Sequence, residues 1–200
     1  MPVKTEKDLD EATRNLWLKA IAAIEQRNFG YAISLLGGIL KQEPEFLTGR
    51  QLLRRAEVTK QKGQKRAFFN ISTSAIWILR AQHELKRDPR HAAEMIEKIL
   101  EREPSDRLAN LVLKQAALAA GWPEIAVFAL QTLLEVNPGD VKILRELGRL
   151  YHELGESDKE VEVYSKIIEI DPADAEAARL GKDASARACM KSDGWGRAER

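Results

Sequence analysis

Chemistry needs convergent groups, and this 200-residue sequence offers few of them. The three histidines, His83, His91 and His152, are scattered along the chain. His152 and Glu156 would share a helix face only if a helix ran on past Gly155, so neither a metal site nor a catalytic base is expected. Cys189 stands alone, with no Cys or His at metal spacing, and reads as a small buried or half-buried helix residue. Only Arg187 and Lys191 lie near enough in sequence to favour its thiolate. Glu101 and Glu103 read as a solvated helix end. Gly37-Gly38 falls inside an apolar helical column, which points to close helix packing and not to a phosphate loop. The sequence contains no nucleophile elbow, no HExxH and no CxxC. A protein without catalytic activity, metal or cofactor is expected.

The one chemically pointed stretch is basic. Residues 47–69 hold Arg50, Arg54, Arg55, Lys60, Lys62, Lys65 and Arg66 against Glu57 alone, in a chain of net charge +1. Phe68 and Phe69 follow directly. Cations neutralise phosphates, and aromatic rings stack on bases or enter a lipid interface. The stretch is therefore a candidate patch for nucleic acid, a ribosome or an anionic membrane. The plainer reading is a solvated helix face with a flexible basic linker, the phenylalanines being the first core residues of the next helix.

Apolar residues make up 44% of the chain and charged residues 32%, a balance that fits a folded domain. A single cysteine and a polar N-terminus without an apolar signal stretch make the cytoplasm the expected compartment. The stretch 67–79 is too short and too polar to span a bilayer.

The elements that would position any site come from internal repetition. Glu43-Pro44, Glu103-Pro104, Asn137-Pro138 and Asp171-Pro172 each close an apolar helical pattern, and the last three prolines are 34 residues apart. Proline cannot continue a helix, so a fixed interval marks a fixed stop. Counting back, columns align as Ala32, Ala92, Ala126 and Glu160, as Leu36, Ile96, Leu130 and Tyr164, and as Ile39, Ile99, Leu133 and Ile167. Steps of three and four residues put these on one helical stripe. Each preceding helix has its own columns, Leu16, Ile76, Asn110 and Leu144, then Lys19, Leu79, Leu113 and Leu147. The segment Leu144, Leu147-Gly148, Tyr151, Gly155, Tyr164 and Pro172 strongly resembles the tetratricopeptide repeat.

That resemblance implies an all-α fold, a right-handed superhelix of antiparallel helix pairs. Units fall at 13–46, 73–106, 107–140 and 141–174, within one solenoid over 1–191. A basic helix and linker insert at 47–72, a capping helix runs over 174–190, and a flexible tail follows over 192–200. Helices are expected near 9–27, 30–42, 46–62, 72–87, 90–102, 106–120, 123–136, 140–154, 157–170 and 174–190. Glu160 departs from the family's small alanine, and it must tilt outward or find a cation.

The resemblance also implies a protein-interaction scaffold whose first helices line a concave groove. Groove positions are Ser74, Trp77, Ala81 and Glu84, then Leu108, Leu111, Gln115 and Leu118, then Lys142, Arg145, Arg149 and His152, with Arg179 from the cap. Such a groove is apolar in its middle and cationic toward its C-terminal end. It suits a protein or peptide ligand with an apolar anchor and acidic groups. Trp77 and Leu111 replace the polar groups that family members use to grip the terminal carboxylate of a chaperone tail, so that ligand is not expected. A groove filled by the inserted or capping helix is the alternative.

Overall fold

The structure, a computed structural model, describes residues 4–62 and 71–192. Ten α-helices follow a short 3₁₀ turn at Glu6–Asp8: α1 Glu11–Glu25, α2 Phe29–Gln42, α3 Leu47–Lys62, α4 Ile71–Glu84, α5 Pro89–Leu100, α6 Arg107–Ala119, α7 Pro123–Val136, α8 Val141–Glu153, α9 Ser157–Ile170 and α10 Ala175–Ser192. The described residues contain no strand, only one isolated bridge between Lys4 and Phe46. The chain is all-α. None of the described helices is long and apolar enough to cross a membrane. The expected linker residues Gly63 to Arg66, together with Phe68, Phe69 and the tail from Asp193, lie outside the described residues.

Proline and aspartate together set the helix boundaries. Pro104, Pro138 and Pro172 end one helix, and the aspartate two residues on starts the next. The Asp106, Asp140 and Asp174 carboxylates accept from the amides of Ala109, Ile143 and Ala177 at 2.7, 3.2 and 2.9 Å. These bonds satisfy donors that a helix start leaves open, and the negative charge suits the helix dipole. Within hairpins the turn passes through a left-handed residue, Gly121 or Gly155, and in the first hairpin Arg27. The next amide then reaches back five residues, Trp122 to Ala117 and Glu156 to Tyr151.

Two compact units divide the chain, residues 1–129 and 130–200. In the first, α1 pairs with α2 and α4 with α5, α3 packs on α2, and α6 packs on α5. The expected columns Ala32, Ala92 and Ala126 and Leu36 and Ile96 are fully buried. Trp17 meets Phe46 edge-on, ring centroids 5.0 Å apart. In the second unit α8, α9 and α10 pack in succession around Leu144, Leu147, Tyr164 and Ile167. Gly148 faces the Tyr164 ring so closely that a Cβ there would lie 2.9 Å from Cζ.

Four expectations need correction. Ile76 and Leu79 are not core residues: they are 59% and 64% exposed, and α4 turns Ile78 and Ala81 inward. The reason is that α4 packs on α5 and α6, the helices that follow it, and that contact selects a different face. Ala81 is consequently fully buried and lines no groove. Gly37 and Gly38 are not at a close helix contact, since a Cβ on either would meet no atom within 4 Å. Cys189 is exposed on α10, because the buried stripe of that helix runs through Ala177 and Ala184.

Candidate functional site

In the 1–129 unit the candidate groove residues sit on two neighbouring helices, α4 and α6. The inward stripe of α6 runs through Ala109, Val112, Leu113 and Ala116. That leaves Leu108, Leu111, Gln115 and Leu118 on the outer face, at steps of three and four. Leu108 is 57% exposed and Leu118 40%, Gln115 is exposed, and Leu111 is half-buried. On α4, Trp77 is 51% exposed, and the Arg80 guanidinium stands 5.3 Å from its ring centroid. Glu84 and Ser74 are half-buried. The two helices thus expose an aromatic ring on α4 and leucines on α6, side chains that can hold apolar groups.

In the 130–200 unit two of the four expected groove residues of α8, Arg145 and His152, are already engaged. Arg145 is held by Asp174 at the start of α10, and its Nη1 donates to Glu176 Oε2 at 2.8 Å. Arg179 Nη1 lies 3.3 Å from Asp183 Oδ2. The His152 Nδ1 is 3.4 Å from Glu160 Oε2. Glu160 itself is 1% exposed and receives Arg187 Nη2 on both oxygens at 2.9 Å, so it has found its cation on the capping helix. Among the described residues only Lys142 and Arg149, of the five expected groove cations, carry no ion pair, and both are exposed. The acidic residues that hold Arg145 and Arg179 are Asp174, Glu176 and Asp183, at the start of and within α10.

The basic stretch does not form one surface. Arg50 and Arg54 are buried, while Arg55, Lys60 and Lys62 are exposed, and Lys65 and Arg66 lie outside the described residues. Arg50 Nη1 pairs with Glu97 of α5, and its Nη2 donates to the Pro44 carbonyl at 2.7 Å. Arg54 bridges Glu57 Oε2 at 2.7 Å and Glu97 Oε2 at 3.1 Å. Burial opposes the charged form of Glu97, but Arg50 and Arg54 outweigh it and hold its pKa below the usual value. Glu57 goes the other way. Burial pushes it up to about 8 against the pull of Arg54, with Glu97 and Glu101 adding to the rise. The two guanidiniums are thus internal to the fold and unavailable to phosphate. The signal that could have found this was Glu57, the one carboxylate in the basic run, three residues from Arg54 on the same helix face.

Comparison with known proteins agrees with the helical reading. Residues 115–175 match the tetratricopeptide repeat family model. A stretch of 65 residues is 38% identical to the CTR9 homolog of Arabidopsis thaliana, covering 32% of this chain and 6% of that protein. The chain therefore spans a small fraction of that relative. Among solved structures, the MamA protein aligns over 96% of this chain and 98% of its own at 20% identity and a TM-score of 0.39. TTC0263, a thermophilic tetratricopeptide repeat protein of Thermus thermophilus, aligns over 90% and 84% at 17% identity and a TM-score of 0.41.

Proposed function

We propose that this chain, a tetratricopeptide repeat protein by its match over residues 115–175, is a non-enzymatic scaffold that binds a partner protein through the outer faces of its first helices. The observation that carries this is exposed apolar side chains on two helices that pack on each other, Trp77 on α4 and Leu108 and Leu118 on α6, with Leu111 half-buried. Large apolar side chains left side by side in water cost free energy that a covering partner recovers, at about 25 cal/mol per Å². Trp is a frequent anchor of such contacts, and its two side-chain torsions lose little entropy on binding. The ligand that fits is an extended or helical peptide with an apolar anchor, Gln115 supplying a polar contact. Lys142 and Arg149 favour an acidic ligand on the 130–200 unit, a weaker preference than five free cations would give.

The nucleic-acid or ribosome reading, like the membrane reading, is not favoured. It rested on seven cations, and two of them are engaged with Glu97 and Glu57. The experiment is an affinity capture with identified partners, repeated with Trp77→Ala combined with Leu108→Ser, and separately with Arg149→Glu. Partners lost with the first variant while its helicity and melting temperature stay unchanged support the apolar face. Partners that survive all these changes rule out these faces as the site.

A further inference from the structure

Register shows that α3 is a first helix without a second. α6, α8 and α10 each begin three residues after a proline, at Arg107, Val141 and Ala175, and α3 begins three residues after Pro44, at Leu47. Six residues after its proline, Asn110 donates its side-chain amide to the Pro104 carbonyl, and Arg50 donates to the Pro44 carbonyl in the same way. The first helices α1 and α4 pair with α2 and α5, the helices that follow them. Among the described residues α3 has no such helix. It packs on α2, and Arg50 and Arg54 tie it to Glu97 of α5.

Where a second helix would cover α3, the structure has a cleft of about 640 Å³, walled by α2 and α5 and floored by α3. The α2 wall is poor in large side chains along one stripe. Gly30, Ser34, Gly37 and Gly38 line it, and a Cβ built on any of the three glycines meets no atom within 4 Å. A glycine inside a helix costs about 1 kcal/mol against alanine, and among the described residues no packing neighbour offsets that cost here. The deeper surface is apolar, with Ile33, Leu40, Leu53 and Ala93. An independent observation comes from the floor. Glu57 lines the same cleft and its side chain is fully buried, yet its Oε1 has no hydrogen-bond partner among the described residues, while Oε2 is held by Arg54. A buried polar atom left unpaired costs roughly 1–3 kcal/mol.

We propose that this cleft is the seat of a single amphipathic helix supplied by a partner protein, laid along the glycine wall of α2 and carrying one arginine or lysine that donates to Glu57 Oε1. The bare wall lets a helix backbone approach closely. From Gly30 to Lys41 the wall runs about 16 Å, at 1.5 Å per residue, which is three turns of an incoming helix. Charge selects the cation. Arg54 is the one cation held on Glu57, and Glu97 and Glu101 both oppose its ionisation. An acidic ligand side chain would add another carboxylate to that group in a poorly hydrated place, whereas a guanidinium or ammonium offsets the burial of Glu57 and favours its ionised form. The site lies on α2, α3 and α5 and owes nothing to the α4 and α6 face described above.

The test is a displayed library of 16-residue helices with an apolar stripe and one randomised position at its centre, selected on the full chain. Counter-selection uses a variant carrying Gly37→Leu and Gly38→Leu, which fills the cleft with good helix formers and whose fold is checked by its melting curve. Binders that are lost on the filled variant and enriched in arginine or lysine at the randomised position are expected. For one such peptide at pH 9, above the Glu57 pKa of about 8, Glu57→Gln weakens binding by about tenfold, because a charge-assisted hydrogen bond becomes a neutral one. The proposal is overturned if the library yields no binder, if binders keep their affinity on the filled variant, or if the randomised position shows no basic preference. Peptides that bind but lose affinity with Trp77→Ala instead belong to the other face, and they count against this one.

Discussion

Glu57 makes the buried ionic cluster testable through pH. Its pKa stands at about 8 in the folded chain against an ordinary 4.5, and burial is the main cause. A carboxyl with a raised folded pKa contributes stability that is fully present below its unfolded value and is lost as pH rises through its folded value. The window is therefore pH 4.5 to 8, and the folded chain loses about 1.4 kcal/mol per pH unit across it. Over the whole window that amounts to on the order of 5 kcal/mol, with no further loss above pH 8. Glu97 does not share the window. Its folded pKa is lowered, so its contribution is present above the ordinary carboxylate value and disappears as pH falls below it.

Glu57→Gln separates this effect from every other titration. Glutamine has nearly the shape of the protonated acid and keeps an oxygen for Arg54 Nη1. Urea unfolding of both proteins from pH 5 to pH 9, followed by tryptophan fluorescence, measures the difference directly. Trp17, Trp77 and Trp122 all lie in the 1–129 unit that contains the cluster. The two proteins should be nearly equal at pH 5. The variant should then gain steadily on the wild type up to pH 8, and the gap should stay constant beyond. Parallel stability curves over the whole range would mean that Glu57 ionises as a solvated carboxylate, and the reasoning about its burial would fail.

Removing the other acid has the opposite sign: Glu97→Ala leaves Arg50 and Arg54 buried without their shared partner, and should cost about 3–5 kcal/mol in chemical denaturation at pH 7. Gly38→Ala should stabilise by about 0.5–1 kcal/mol, since the helix gains propensity and the new methyl meets open space; a loss in melting temperature would reveal an unseen contact. Gly148→Ala should destabilise by about 1–3 kcal/mol, because its Cβ would press on the buried Tyr164 ring, and the same denaturation assay reads it. Glu160→Ala releases Arg187, which keeps partial access to water, so a loss of about 1–2 kcal/mol is expected by thermal melting; a gain would mean that the family's small residue packs better there than the ion pair does.

Helix boundaries were legible because their causes are local. A proline stops one helix, and an aspartate two residues later satisfies the open amides of the next, as with Pro138 and Asp140. The buried column of Ile96, Leu130 and Tyr164 was legible because a stripe at steps of three and four has one physical reading. Charge was much less legible. Arg50 and Arg54 look like a solvated patch in sequence, since Glu97 lies 47 and 43 residues away and nothing local announces it. Arg145 was read as a groove cation for the same reason, its partner Asp174 being 29 residues on. The face that α4 buries depends on which neighbours it meets, and a single helix's pattern does not encode that. Ile76, Trp77, Ile78 and Leu79 are consecutive large apolar positions, and any face of such a helix can serve as core.

The positions that depart from the repeat pattern share one physical role. Glu160 stands in a column of alanines, and Arg50 and Arg54 stand on a helix beyond the regular pairs. Each makes an ion pair with a helix that is not its hairpin partner, Glu160 with Arg187 of α10 and the two arginines with Glu97 of α5. Within a hairpin, matching apolar stripes and a short turn already fix the register. An added helix has neither constraint, and an apolar stripe alone would let it slide or rotate. A buried charge permits only the arrangement that pairs it, because every other arrangement leaves it desolvated and alone. The arginine pair thus holds α3 against α5 at one register, and the space above α3 is left as a cleft with fixed walls. Its floor keeps a carboxylate oxygen that the chain does not satisfy, so the device that positions α3 also leaves the polar handle that an incoming helix would engage.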